Sequence, residues 1–517
     1  MEQQLQDTSN LNPLALAVLL VTMYLIWSLP RRFVVCPILF ITCLMPLGQD
    51  LVIFGLNFYL FRVLLLVGAL RVLFKHEARR LVMTRTDKIF TWWVIVSIVF
   101  GTLAKPSMEL FVNRLGDAYN AFGCYFLIRC ILVDFEDFLT SIRTLAWLSL
   151  PVAAMMLVER TTGHNYFSVF GGVPELSAVR EGHVRCQGAF RHAILAGTFG
   201  ATQFPLFMAL WFYQPQYRRI ALLATISSVI IVGTASSSGA LMALLASMGG
   251  MAFWKWRAHI RLVRRGAVVA IIVLAMVMNA PVWYLFDRLS NITGGTGWWR
   301  SFLIDQTISH FDEWWLFGTT YTLHWAPVGE VIAADPNMMD ITNHYVIQCV
   351  SGGLLKLLLF LAIIVVSFKT MGRWLKFEGV GSSAGILVWG AGVSLFAHSL
   401  SFVSTTYFDQ IVVIWYWLLA VIACIPVWKS DMTGDMADSD LLSETIEKGE
   451  NQNVADGENV PAMVFLNGTC NFKLGAVKCL NGFVPFLSSY GEDVKSWFLG
   501  YRSGYSMGHH PITIDIT

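Results

Sequence analysis

Blocks of about twenty apolar residues recur along this chain, near 13–29, 33–49, 51–74, 89–104, 119–134, 143–158, 192–213, 219–233, 235–254, 266–284, 345–368, 383–404 and 409–428. A hydrocarbon core about 30 Å thick is crossed by roughly 20 apolar residues in a helix. Inside it no backbone N–H or C=O can go unpaired, so each block must be helical. The pattern predicts an all-α polytopic membrane protein with about 12 or 13 transmembrane helices, the pair 33–49 and 51–74 being the least clearly divided. Composition agrees, with 56% of residues hydrophobic and 14% charged, where soluble domains average roughly 25% charged. No basic residue precedes the first block and no trusted small-residue cleavage site is found, so it reads as a retained span and not a removed signal peptide.

Lysine and arginine set the orientation. Clusters fall at Arg31–Arg32, at Lys75, Arg79, Arg80, Arg85 and Lys88, at Arg218–Arg219, at Lys255, Arg257, Arg261, Arg264 and Arg265, and at Lys369, Arg373 and Lys376. Each is an even number of blocks from the next, so all lie on one side, the cytoplasm. Loops at about 105–118, 160–191 and 285–343 then lie outside. The catalytic unit is thus expected over 1–428, with a second outside loop at 160–191 and the large loop at 285–343. Residues 431–458 are acidic and polar, and 429–517 reads as a cytoplasmic tail, partly disordered. The net charge of +2 says little about partners, and no Walker loop, dinucleotide fingerprint or internal repeat occurs. No nucleic-acid partner is expected. Of nine cysteines, only Cys186 falls in an outside loop, so no disulfide is expected there.

The large loop concentrates groups that do chemistry: Arg288, Arg300, Asp305, His310, Asp312, Glu313, Tyr321, His324, Asp335, Asp340 and His344, among five tryptophans. The second outside loop adds Arg160, Arg180, Arg185 and Arg191 with His164, His183 and His192. An arginine at mid-bilayer costs roughly 2.5–3.5 kcal/mol, less at the interface. One charge-assisted hydrogen bond returns only about 1.5–3 kcal/mol. Such arginines either snorkel to the headgroups or hold an anion, and the guanidinium fork suits phosphate oxygens. His344 stands where a helix N-terminus disfavours protonation, so a neutral imidazole there could take a proton from a hydroxyl or serve as an interfacial hydrogen-bonding group. His310, Asp312, Glu313 and His324 fit no metal-ligand spacing, and no metal is expected. Most of the tryptophans read as interface anchors, and Thr234-Ala-Ser-Ser-Ser-Gly and Gly352-Gly353 as close helix contacts.

Arg185-Cys-Gln-Gly-Ala-Phe-Arg-His192-Ala-Ile-Leu-Ala-Gly197 resembles the R-x-x-G-x-F-x-H-P-I-x-x-G stretch of the O-antigen ligase and polymerase superfamily. Thr234-Ala-Ser-Ser-Ser-Gly resembles its T-x-S-R-x-G/A span, and Trp299-Arg300 with Trp315-Leu-Phe-Gly318 resembles part of its large periplasmic loop. Asn343-His344-Tyr with Gly352-Gly353-Leu-Leu is similar to its closing element. The likeness covers about 180–370. Ala193 stands where the family has proline, serine near Ser237 replaces an arginine, the Asn343-His344 order is reversed, and the closing glycines are adjacent.

The resemblance implies a GT-C-like helical fold in the bacterial inner membrane, with a helical periplasmic loop. The enzyme implied is a metal-independent, cofactor-free glycosyltransferase acting on undecaprenyl-diphosphate-linked oligosaccharide, of the exopolysaccharide or O-antigen polymerase branch. Arg185 and Arg300 are expected to hold the diphosphate, supported by Arg180, Arg191 and Arg288. His344 is the expected base or acceptor-orienting group, with Asp340, His192 and Tyr321 around it. A chain-length regulator and a flippase of the same pathway are the protein partners implied. A ligase passing glycan to lipid A core or protein, and a transporter or flippase, are the alternative expectations. The latter would call for charges inside the spans, of which Arg62 and Arg129 are the obvious ones.

Overall fold

The computed structural model describes residues 12–53, 56–180, 182–285, 288, 297–327, 337–377 and 383–428. The tail 429–517 and Asp335 lie outside the described residues.

Helices dominate. In chain order they are α1 (Pro13–Ser28), α2 (Val35–Leu44), α3 (Leu60–Phe74), α4 (Arg85–Leu103), α5 (Met108–Ile131), α6 (Phe135–Thr162), α7 (Ala193–Tyr213), α8 (Arg218–Ala235), α9 (Ser238–Ala252) and α10 (Ile260–Val277). Then come α11 (Gly297–Ser309), α12 (Phe311–Trp314), α13 (His344–Val350), α14 (Gly353–Phe377), α15 (Ser383–Ser404) and α16 (Gln410–Trp428). Two antiparallel hairpins interrupt them: β1 (Asp50–Ile53) with β2 (Leu56–Tyr59), and β3 (Ala178–Arg180) with β4 (His183–Arg185).

Among the described residues, seven helical stretches are long and apolar enough to cross a membrane: α4, α6, α7, Pro215–Ala235, Gly353–Lys376, α15 and α16. The fold is that of a mostly helical, multi-pass membrane protein. The other expected spans are shorter or more charged. The block 33–49 yields only the ten residues of α2, which ends just before Pro46, a residue that cannot continue a helix. The block 51–74 is corrected: its first part is strand, and α3 begins at Leu60. Val52, Ile53, Phe58 and Tyr59 are β-formers, and apolar run length alone cannot separate strand from helix. The block 345–368 is two helices, broken at Ser351 and Gly352.

The core is built around α7. It is apolar on all sides, as a helix enclosed by others must be, and its residues from Ala193 to Leu210 are largely buried. It packs on α8, α9 and α15, and small residues allow the approach. A Cβ on Gly197 would lie 2.6 Å from Ala240 Cβ, and one on Gly200 2.8 Å from the Ser228 carbonyl oxygen. Close backbone approach of this kind drives helix association where burial from water cannot.

Several charges inside the bundle are paired. Asp87 accepts from Arg129 Nε at 2.9 Å and from the Tyr125 hydroxyl at 2.6 Å, with all three buried. The same aspartate closes the capping box that starts α4. Arg71 is buried against Glu77 at 2.7 Å, and Arg31 pairs with Asp137. Arg129 is therefore an internal tie between α4 and α5.

Candidate anion site at the helix ends

The turn that carries Arg185 is held from below by one carboxylate. Glu159, buried in the last turns of α6, accepts from the Gln187 N–H at 3.0 Å, the Gly188 N–H at 2.9 Å and the Ser177 hydroxyl at 2.8 Å. Asn165 Nδ2 donates to the Gly188 carbonyl at 2.9 Å, and the Cys186 N–H donates to the Thr234 carbonyl at 3.2 Å. Gly188 has φ +58° and a Cβ there would meet Met156 Cγ at 3.2 Å, so both conformation and space call for glycine. From above, Gln410 Nε2 donates to the Ala189 carbonyl at 2.7 Å. The chain then enters α7 with His192 as N-cap, its Nδ1 accepting from the Ile194 N–H at 3.1 Å.

The small-residue stretch at 234–239 is a break between helices. α8 stops at Ala235, Ser236 adopts φ +46°, and α9 starts at Ser238. Arg160, at the end of α6, donates to the Val184 carbonyl and to Ser236 Oγ, tying β4 to this break. Arg300, on α11, reaches the same place. A Cβ on Gly239 would lie 3.5 Å from Arg300 Nη2 and 2.6 Å from Ser404 Oγ.

Arg180, Arg185, Arg300 and His192 thus form one electrostatic group. Burial first, and then the charge of Arg180, hold the guanidiniums of both Arg185 and Arg300 below their ordinary pKa. Burial and Arg185 do the same to the His192 imidazole. Arg185 Nε is buried with no hydrogen-bond partner. Among the described residues no carboxylate pairs with Arg185 or Arg300. The helix N-termini of α7 and α9 add partial positive charge nearby. The buried guanidiniums of Arg185 and Arg300 beside these helix starts favour an anion among them.

His344 lies on another wall of the same region. It is the first residue of α13, capped by Asn343, whose Oδ1 accepts from Tyr345 N at 3.0 Å and Val346 N at 3.3 Å. Its ring stacks on Phe402 at 4.9 Å and lies 5.4 Å from Phe360 and from Tyr407. Burial pushes its pKa down to about 3, so it is neutral at ordinary pH. Its Nδ1 faces the Tyr407 N–H at 3.2 Å and its Nε2 faces the Gln348 side-chain amide nitrogen at 3.3 Å, so a backbone and a side-chain group grip both ring nitrogens. The segment from Phe402 to Asp409 joins the walls: Ser404 meets the Arg300 neighbourhood, Phe402 and Tyr407 hold His344, and Asp409 lies 3.5 Å from Arg191.

The remaining expected residues are more dispersed. Arg191 is half-exposed and pairs with Asp409. Asp340 is at the surface of the loop, where its backbone carbonyl accepts from Trp299 Nε1 at 3.2 Å, one residue from Arg300. Burial raises its carboxyl above the ordinary range. Tyr321 stacks instead on His324, at 5.0 Å. Arg288 is exposed, with its neighbours 289–296 outside the described residues. Between α11 and α13 lies an apolar cleft of about 210 Å³, lined by Ile304, Thr307, Tyr345, Val346 and Val403. Sequence reading passed over Glu159 and Tyr407. A carboxylate one residue from an arginine at a helix end reads as an ion pair, and Tyr407 acts through its backbone N–H.

Fold and site together define a multi-pass helical membrane protein with a cluster of cationic side chains at its helix ends. No protein-family model matches the chain, and a search of curated proteins finds no match.

Proposed function

We propose that the chain is a membrane glycosyltransferase that uses a polyprenyl-diphosphate-linked oligosaccharide as donor and joins repeat units into polymer at the extracytoplasmic face of a bacterial inner membrane. One observation carries the reading: Arg185 and Arg300 are partly buried beside Arg180, and among the described residues no carboxylate pairs with either. Two guanidinium forks and two helix N-termini match the charge and oxygen geometry of a diphosphate.

The reaction needs little from the protein beyond placement and charge. As the glycosidic carbon leaves the diphosphate, negative charge grows on the leaving oxygen, and Arg185 and Arg300 are fixed in advance to receive it. The acceptor hydroxyl must lose a proton. His344 Nδ1 already takes the Tyr407 N–H, so His344 acts as an orienting wall. We assign that proton to the carboxylate of Asp340, whose backbone carbonyl accepts from Trp299, the residue before Arg300.

Purified protein given a lipid-linked oligosaccharide tests this. Products longer than one repeat unit, absent in Arg300→Ala, are expected. Transfer of finished glycan to a lipid acceptor without elongation would make it a ligase, and translocation without a new glycosidic bond would overturn the reading.

A further inference from the structure

The large loop folds three ligand-type side chains together away from the arginines. His310, Glu313 and His324 each offer one atom, and those atoms lie within 4.8 Å of one another. A tetrahedral Zn²⁺ with bonds of roughly 2.0–2.1 Å sets its ligand atoms about 3.3 Å apart, which small side-chain rotations reach from here. Each ligand is already oriented by a neighbour. His310 Nδ1 donates to the Gln306 carbonyl at 2.9 Å, which fixes the lone pair on Nε2, and among the described residues no donor meets that nitrogen. A backbone carbonyl on the far side of a ligating imidazole is the usual support for a metal-bound histidine. The His310 ring stacks on the buried Trp325 at 5.1 Å and 18°. Trp325 Nε1 donates to Glu313 Oε2 at 3.0 Å, and Glu313 Oε1 meets His324 Nε2 at 2.9 Å. The His324 ring is held flat against Tyr321.

We propose that His310, Glu313 and His324 form a Zn²⁺ site that staples the large loop. Two imidazoles and one carboxylate are a zinc donor set, with a fourth position left to water. The ion joins residues 310–313, which directly follow the Arg300 helix α11, to the turn at Leu323–Trp325. It thereby fixes the end of the element that presents Arg300. This role is structural and separate from glycosyl transfer.

The test uses the full-length, untagged protein in detergent, stripped with chelator and then given ZnCl₂ alone. One equivalent of zinc per chain should survive desalting, and His310→Ala and His324→Ala should each weaken binding at least tenfold. Cobalt should replace zinc in the unmutated chain and give visible ligand-field bands of tetrahedral intensity, a readout that needs no variant to fold. Backbone amides of 310–325 should exchange more slowly with zinc bound. No retained zinc, no such cobalt bands, or equal uptake by the His310→Ala/His324→Ala double variant would each overturn the site.

Discussion

The backbone N–H of Tyr407 donates to Nδ1 of His344 at 3.2 Å, and the hydroxyl of the same tyrosine lies 2.8 Å from Nδ1 of His398. One residue in the connection between α15 and α16 thus holds two buried imidazoles. Gln348 holds the other side of the His344 ring, its amide nitrogen 3.3 Å from Nε2, so both ring nitrogens are engaged by protein groups.

This gives a pH dependence with a definite sign. The folded-state pKa of His344 is pushed down to about 3 by burial, against about 6.5 for a free imidazole. Between those values the unfolded chain binds a proton that the folded chain does not, so this group's contribution is present above about pH 6.5 and is lost as pH falls toward 3. Thermal unfolding in detergent should show the wild type losing more stability between pH 7 and pH 4 than His344→Gln. Equal losses would show that His344 is not neutral and buried.

Arg185 and Arg300 set function against stability. Removing a guanidinium that has no carboxylate partner among the described residues and lies within reach of Arg180 relieves desolvation and repulsion. Arg300→Met should abolish polymer while raising the apo protein's stability by about 1 kcal/mol, a trade expected of binding sites. A variant that loses both activity and stability would mean that Arg300 is a structural residue.

Glu159 is a positioning residue for Arg185. Glu159→Gln keeps the shape but replaces one acceptor oxygen with an N–H₂, which then faces the N–H donor of either Gln187 or Gly188, and removes the charge from the other bond; each charge-assisted bond is worth about 1.5–3 kcal/mol. The variant should lose about 3 kcal/mol of stability and weaken donor binding, with Arg185 intact. Donor affinity unchanged from wild type would remove Glu159 from the site.

Gly239→Ala probes the shared wall. Its new Cβ would lie 2.6 Å from Ser404 Oγ and 2.9 Å from Ser404 Cβ, so α9 and α15 must part beside Arg300. Polymer yield should fall at least tenfold with the protein still present in the membrane. Ser404→Gly in the same chain should restore much of it by vacating that space. Full activity of Gly239→Ala alone would show that the contact is not needed.

Much of this was legible in the sequence, for identifiable reasons. Long apolar blocks gave the helical membrane class because lipid leaves the backbone no alternative. Arg185 and Arg300 were singled out together by the motif resemblance, and the structure sets both within reach of the charge of Arg180. The β1–β2 hairpin was not, since the 51–59 run has the hydropathy of a helix. The role of Gly353 was half legible. Its adjacency to Gly352 signalled close packing, but the structure gives it φ +72° at a helix break, where a Cβ would collide with the Leu316 carbonyl. His310, Glu313 and His324 were on the page as residues, yet their meeting depends on Trp325 folding beneath them, which spacing cannot show.

The most direct test of the central claim is equilibrium binding of a short polyprenyl diphosphate to the purified protein. Wild type should bind it with an affinity that falls at least a hundredfold in Arg185→Met/Arg300→Met, and should bind the matching monophosphate less well. Equal affinity of wild type and the double variant for the diphosphate would contradict the account.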